Sequence, residues 1–560
     1  MRTRDRWGYA LVLAVVAAGL LANFGRYPLL DPDEGRNAEV AREMAVSNGY
    51  LLPRLNGLPY VDKPVLHFAV TALAMEAFGR NPAIARLPSL LFTMGTLVLV
   101  GWFATRLTDG AGGVTAVVST AATPLTLAYS RTVIFDATLT FWVVTAVMCL
   151  HEVVERSRVG HAVDLWRAGA WGAMALGLLT KGPVAVLLPL LIAVPYAWWR
   201  GRLRSLVDPV AILLVPAIVI PWVAAMARDA PDFVRYVIFT ETAARLSGDA
   251  LGRAEPVWYF LAILPAGALP WTVVLGAHIP HLARRLRSRA EWTPSVTFLL
   301  LWVLLPLAFF SLTASKRPQY VLPIIPALGL LVAIAWHGIA RRRVGVPAAG
   351  TALLAAGLAL AALRHRIAPL VNAAPDIAEA VPPVALQLAA ASIVAGLIVW
   401  VGRGWRPLVL AALAAPITVI PVVSADLMQA IGEDRSAVGL AAAIERVSPR
   451  GARIVAVHAY PLSLPFYLDR TITLVTDDAS ELTSNYLLRH PEIWRQAPTI
   501  RTGEWWHEAA IACDRPSVFV LRTDDTRRRG VLDDHLPIIA TSRKYVAYGP
   551  CGPAPLARSP

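Results

Sequence analysis

Asp31, Asp33, Glu34 and Arg36 lie within six residues of a 560-residue chain, at the start of the stretch DPDEGRNAEVAREMAVSNGYLLPRLNGLPYVDKPVLH that runs from Asp31 to His67. A carboxylate so placed can act as a general base toward a hydroxyl, provided its geometry is right. Helix capping explains one of the acids: Asp33, ahead of a helical run from about Glu34 to Ser47, suits an N-cap, and acids suit a helix N-terminus. Capping does not require three acids and an arginine. Tyr60, Asp62, Lys63 and Pro64 close the stretch. An interfacial Tyr/Lys anchor is the plain explanation. The chemical one is that Lys63 holds a lipid-linked phosphate as a point charge, with Asp62 orienting it.

Further charges recur beside apolar runs. Asp136 follows Ser130-Arg131-Thr132-Val133-Ile134-Phe135, and Arg131 is its candidate partner. An acid at such a site is costly unless paired and is by default functional. Lys181 opens a Lys-Gly-Pro break, as a turn lysine or as a phosphate or carboxylate contact. Arg245 lies in a polar segment with Arg235, Tyr236, Glu241, Asp249 and Arg253, where Phe233, Val237 and Thr240 share one helical face. Lys316, Arg317 and Tyr320 sit in SKRPQYVLPIIPAL.

The elements that must position these groups are membrane spans. Hydrophobic residues make up 56% of the chain and charged residues 16%, where soluble chains carry about 25% charged. Apolar runs at 8–24, 86–105, 113–129, 133–151, 168–180, 183–199, 207–226, 257–280, 295–313, 319–339, 346–363, 384–401 and 407–424 predict about 13 spans. The pair around Lys181-Gly182-Pro183 could be misread as one span, and 65–79 could be an interfacial helix or a further span. With the N-terminus inside, the arginine clusters at 156–167, 200–204, 284–289, 341–343 and 403–406 all fall inside, as the positive-inside rule requires. The connectors 25–85, 227–256 and 364–383, and everything after about 425, are then outside. Lys316 and Arg317 break that rule, and an anionic ligand supplies a reason. The N-terminal run lacks a small-residue cleavage site before the charged loop, so it reads as an uncleaved span.

The segment 425–560 changes character. Glu433 to Val447 reads as an amphipathic helix, and 454–457, 472–475, 518–521 and 545–548 as short strands. This predicts a C-terminal α/β domain behind an all-α membrane domain of residues 1–424, with 25–85 as its first outer loop. The net charge of +14 belongs to loop arginines; no basic domain with interleaved aromatics points to nucleic acid. Three cysteines are too few for a disulfide scaffold; Cys513 and Cys551 could pair if the tail is outside the cytoplasm. No Walker-type loop, HExxH or GxSxG occurs, so the substrate itself is the expected energy source.

PDEGRNAEVAREM, PRLNGLPYVDKP, ARLPS at 85–89, LTKGP and SKRPQYVLPIIPAL, in that order, resemble the aminoarabinose transferase and protein O-mannosyltransferase superfamily of GT-C glycosyltransferases. The likeness covers roughly residues 8 to 340 and is nearest to the lipid A aminoarabinose transferase-like branch. The resemblance implies a polyprenyl-phosphate-linked sugar donor. It makes Asp33 the catalytic first-loop aspartate with Glu34 and Arg36 beside it. Tyr60 and Lys63 would hold the carrier phosphate, with Asp62 where that branch tends to have Glu. Asp136 would be a second acidic position, Arg245 the arginine of the third outer loop, and Tyr320 the tyrosine of a K-x-x-x-Y-x-L-P motif. Thr242 stands where the branch has a metal-assisting His, which puts a bound divalent metal and lipid A as acceptor in question. No cofactor is assigned.

The expectation is an enzyme of the bacterial cytoplasmic membrane with its site and tail facing outward. It would transfer a sugar, such as 4-amino-4-deoxy-L-arabinose or another pentose or hexose, to a lipid, glycan or protein. A polyprenyl-lipid flippase would explain the same charges but predicts internal repeats, and none is visible. A non-catalytic lipid-binding assembly protein would tolerate loss of Asp33.

Overall fold

The computed structural model describes residues 3–230, 232–236, 255–277, 279, 293–339, 345–367, 369, 374–402, 404–448 and 451–551. Its first helices are α1 (Thr3–Leu21), α2 (Asp33–Ser47), α3 (Leu66–Phe78), α4 (Pro82–Leu107), α5 (Gly110–Ala121), α6 (Pro124–Tyr129), α7 (Phe135–Arg158), α8 (Asp164–Lys181) and α9 (Val184–Trp199). By internal contacts the chain divides into two compact units. One comprises residues 1–24, 86–224 and 237–427, the other residues 25–85, 225–236 and 428–560. Residues 25–85 thus group with the tail rather than with the spans, across the division expected at 424/425. The physical reason is that polar groups of this stretch find hydrogen-bond partners on the tail, as detailed below.

The first unit is helical. Among the described residues, eight helices are long and apolar enough to cross a membrane: Pro82–Leu107, Phe135–Arg158, Pro209–Arg228, Pro294–Leu312, Pro318–Trp336, Val346–Ile367, Ile377–Val401 and Arg406–Val423. Helices α5 and α9 are shorter but apolar. The run expected at 113–129 is broken between α5 and α6 at Ala122-Thr123, where the Thr123 hydroxyl caps the second helix. The run at 257–280 is likewise two helices, Tyr259–Gly267 and Trp271–Gly276. Lys181-Gly182-Pro183 does separate two helices: Gly182 ends α8 at φ 92°, a conformation open to glycine. Gly177 then lets α8 approach α9, since a Cβ there would lie 2.6 Å from that of Ala185. Phe103, Val147, Leu188, Phe298 and Trp302 fill the core between these helices.

The second unit is mixed. Strands β1 (Arg54–Leu55) and β2 (Leu58–Pro59) form a hairpin around Asn56-Gly57, both at positive φ, as a tight two-residue turn demands. The 65–79 segment is helix α3, whose 13 residues are too few to span a bilayer. In the tail, β3 (Arg453–Val457), β4 (Thr473–Val475), β5 (Ile500–Arg501), β6 (Ser517–Arg522), β7 (Ile538–Thr541) and β8 (Tyr545–Cys551) make one sheet of order β5-β4-β3-β6-β8-β7. The first four strands are parallel, and β8 runs antiparallel to β6 and β7. All four expected strands are present; β5, of two residues, and the half-exposed edge strand β7 carry too weak a hydrophobic pattern to be read from sequence. The single helix expected over Glu433–Val447 is two, Ala425–Arg435 and Val438–Val447. The Ser463 hydroxyl accepts from Ala437 N at 2.9 Å and stabilises the break.

Candidate active site

Helix α2 begins at Asp33, after Pro32, which offers no side-chain cap. Asp33 is therefore not the N-cap that its sequence position suggests. Glu34 is buried, and its carboxylate turns back to accept from Leu30 N, in the chain that leads into the helix, at 3.0 Å. The Asp33 carboxylate accepts from Arg36 Nη2 at 2.6 Å and stays 35% exposed. Arg36 also donates to Thr483 Oγ1 at 2.8 Å and lies 6.0 Å over the Tyr60 ring. One acid thus ties down the chain ahead of the helix, while its neighbour is oriented and open to solvent.

Asp62 is a buried junction. Its Oδ1 accepts from Tyr236 Oη at 2.6 Å and from Asn485 N at 3.1 Å, and its Oδ2 accepts from Ser484 Oγ. Lys63 Nζ donates to the Asp62 main-chain carbonyl at 2.6 Å. Tyr60 is buried, edge-on to Phe68 with centroids 5.9 Å apart. Asp31 is half-buried: its Oδ2 accepts from Ser463 Oγ at 2.8 Å, and its Oδ1 is shut away from solvent. Burial pushes its pKa up to about 7 against the pull of the Ser463 bond.

The stretch between these residues is pinned to the tail by groups that sequence reasoning did not single out. Glu43 accepts from Gly57 N at 2.9 Å and also from Asn56 N. Asn56 in turn accepts from Ile472 N at 3.1 Å and, through its carbonyl, from Thr499 Oγ1 at 2.7 Å. Arg42 clasps the buried Glu39 through two bonds of 2.7 Å and reaches Asp469 at 3.3 Å. The Asn-Gly pair was the available signal for the hairpin. The pairing partners on the tail had none.

In the first unit, Asp136 opens α7 and Lys181 closes α8. Each helix end favours the charge it carries, the acid at an N-terminus and the cation at a C-terminus. Lys181 Nζ donates to Asp136 Oδ1 and lies 5.0 Å over the Tyr320 ring. Lys181, not Arg131, is the ion-pair partner of Asp136: Arg131 donates to the carbonyls of Leu20 at 2.6 Å and Ala22 at 2.8 Å. Lys316 is buried and donates to the carbonyls of Thr313 at 2.5 Å and Glu255 at 2.7 Å. No described carboxylate pairs with it. Two carbonyls satisfy two donors of an ammonium and leave its charge uncompensated, a state that a bound anion would complete. Arg245 and Thr242 lie outside the described residues, as do Val237 and Thr240 of the expected helical face. Among the described residues, no group of three or more His, Cys, Asp or Glu is placed to hold a metal ion.

Fold and site together define a polytopic helical membrane protein with a second unit in which a charged early stretch is built onto an α/β sheet. Its fold is that of a solved structure, ArnT from Cupriavidus metallidurans bound to undecaprenyl phosphate. The TM-score is 0.81 at 23% identity, covering 96% of this chain and 97% of that one. The chain is also 33% identical over 333 residues to undecaprenyl phosphate-alpha-4-amino-4-deoxy-L-arabinose arabinosyl transferase 1 of Pseudomonas fluorescens, covering 58% of this chain and 59% of that protein. To the corresponding transferase of Erwinia tasmaniensis it is 34% identical over 321 residues, 56% of each chain. The matches thus span less than two thirds of either relative's length. Residues 30–237, which include α2 and Asp136, match the family described as dolichyl-phosphate-mannose-protein mannosyltransferase.

Proposed function

We propose that this chain is an integral-membrane glycosyltransferase that moves a sugar from a polyprenyl-phosphate donor to an acceptor at the outer face of the bacterial cytoplasmic membrane. The observation that carries this reading is the contrast within α2: Asp33 is half-exposed and held by Arg36, while its neighbour Glu34 is buried and tied to the main chain at Leu30. The relatives named above support it, being arabinosyl transferases of an undecaprenyl-phosphate-linked sugar by name. A 4-amino-4-deoxypentose is accordingly the first donor to test, ahead of other pentoses and hexoses. A lipid, glycan or protein would accept it.

The reaction breaks the bond between the anomeric carbon and the carrier phosphate oxygen, and forms one from that carbon to an acceptor oxygen. Attack opposite the leaving phosphate inverts the anomeric centre. Asp33 takes the proton of a hydroxyl acceptor, or orients a phosphate acceptor, which brings no proton that must be removed. Lys63, Lys316, Lys181 and Arg245 are the proposed source of positive charge for the departing polyprenyl phosphate, the electrostatic part of catalysis. Tyr320 lies under Lys181, which Asp136 holds, and Tyr60 lies under Arg36 beside Asp33, as a proposed support for the carrier phosphate. With about 13 spans, α1 through the helix ending near 424, the N-terminus and the tail fall on opposite sides. Of the proposed 1–424 membrane part and 425–560 domain, the latter then lies outside, as do the connectors 25–85 and 227–256 of the former.

The test is transfer of radiolabelled sugar from isolated polyprenyl-phosphate donors in proteoliposomes, comparing the parent chain with Asp33→Asn and Lys63→Ala. Label should leave the donor only with Asp33 intact. Intact donors across a broad panel, with lipid crossing the bilayer, would replace the transferase by a flippase.

A further inference from the structure

Two of the three cysteines meet in the tail. Cys513 follows the helix Trp505–Ala512, and Cys551 ends β8. The carbonyl of Ala509 joins them: it accepts from Cys513 N at 3.3 Å and lies 3.8 Å from Cys551 Sγ. Cys551 is buried in the core between that helix and the sheet, and Cys513 packs against the same core. The Cys513 thiol donates to the carbonyl of Ala510 at 3.1 Å, one residue along the helix from the carbonyl that the Cys551 thiol faces. Cys513 also takes a left-handed conformation, φ 46°, at a helix end where glycine or asparagine is the usual residue. A cysteine there accepts a less favourable backbone conformation and puts a sulfur next to Cys551. By contrast, Cys149 sits on α7 of the other unit.

We propose that Cys513 and Cys551 form a disulfide that ties the last strand of the sheet to the helix Trp505–Ala512. The inference rests on the outward placement of the tail in the proposed function, because a cytoplasmic pair would be kept reduced. Formation removes two protons and two electrons from the thiols. An external disulfide, from a thiol-disulfide oxidant of the outer compartment, accepts them and ends as two thiols. Cys513, the less buried of the two, attacks first and forms the mixed disulfide; Cys551 then displaces the oxidant's thiol. Burial, and after it the neighbouring Cys513, push the Cys551 thiol up to about 12. The closed loop contains β6, β7 and β8, so the bond restrains half of the sheet.

The experiment is maleimide trapping of the full chain in intact cells, then denaturation, proteolysis and peptide mass analysis with and without reductant. The expected result is a Cys513–Cys551 linked peptide, with Cys149 as the sole alkylated thiol before reduction and all three alkylated after it. A parallel Cys551→Ser chain should expose Cys513 to the maleimide. Three alkylated thiols without reductant would overturn the native disulfide. Treating the purified, folded chain with oxidised glutathione then locates the failure. Closure of the bond there leaves the contact intact and refutes the outer placement of the tail. Thiols that stay open refute the contact itself.

Discussion

Ser484 donates a hydrogen bond to Asp62 across 422 residues of sequence. Tyr236 and Asn485 donate to the same buried carboxylate. An asparagine at 62 keeps the shape but brings an amide donor against groups that are themselves donors. Asp62→Asn should therefore cost about 1–3 kcal/mol, and Ser484→Ala about 1 kcal/mol. The double variant should cost less than the sum, since both changes break one interaction. Thermal unfolding in detergent, read as a double-mutant cycle, measures this. Strict additivity would show that the bond carries no energy.

Lys181 and Asp136 form a partly buried ion pair at two helix ends. Removing one partner leaves the other charge uncompensated, which costs about 3–5 kcal/mol. Lys181→Met should fall in that range. Adding Asp136→Asn to it should recover at least half of the loss in melting temperature. Activity need not return with stability, because both residues belong to the proposed site.

Asp33 and Glu34 are adjacent acids with separable consequences. Asp33→Asn should reduce sugar transfer by about 10²–10⁴-fold, the usual contribution of a positioned acid or base, with melting unchanged within about 0.5 kcal/mol. Glu34→Gln should do the reverse, losing about 1 kcal/mol of stability as its charged bond to Leu30 N weakens and retaining most of the transfer rate. Parallel melting curves and initial rates decide it. Loss of activity in both with equal loss of stability would mean that α2 has only a structural role.

Burial raises the pKa of Asp31 to about 7 from an ordinary carboxylate value near 3.8. Between those two values the folded chain holds a proton that the unfolded chain has released. Stability therefore falls as pH rises through that window and levels off above about 7. Across the window the loss is about 1.4 kcal/mol for each tenfold fall in proton concentration. Asp31→Asn, which cannot ionise, should show a flatter stability profile between about pH 5 and 7.5, with its advantage over the parent chain growing toward the alkaline end. Melting temperatures at a series of pH values read this directly. Parallel profiles for the two chains would remove Asp31 as the source.

Lys316 holds a buried charge on two carbonyls. If the carrier phosphate completes that site, Lys316→Ala should weaken donor binding by about tenfold or more, about 1.4 kcal/mol, and should not destabilise the apo protein. Binding of a polyprenyl phosphate, followed by the rise in melting temperature it produces, separates the two effects.

Several features were legible because they are local. Apolar length gives helices such as α4 and α7 without any knowledge of their neighbours. The β-branched runs at 454–457 and 518–521 give β3 and β6. The Lys-Gly-Pro break predicts the end of α8. The acids of the first stretch were visible as candidates, but their roles were not: Asp33 reads as a cap, whereas it pairs with Arg36, and Glu34 turns back to Leu30 N. Which of two neighbouring carboxylates turns back to the main chain depends on the path of Leu30 and Pro32.

The sequence by itself determined the membrane class, most helix positions, the strands with continuous apolar runs and the roster of charged residues, because hydrophobic length and periodicity act on each segment alone. Only the tertiary structure decided the partners. It paired Asp136 with Lys181 rather than Arg131, bound Asp62 to Tyr236 and Ser484, and joined residues 25–85 to the tail as one unit. A buried polar group must find a complementary group wherever the chain brings one. In this protein that group often lies hundreds of residues away, where no local pattern could announce it.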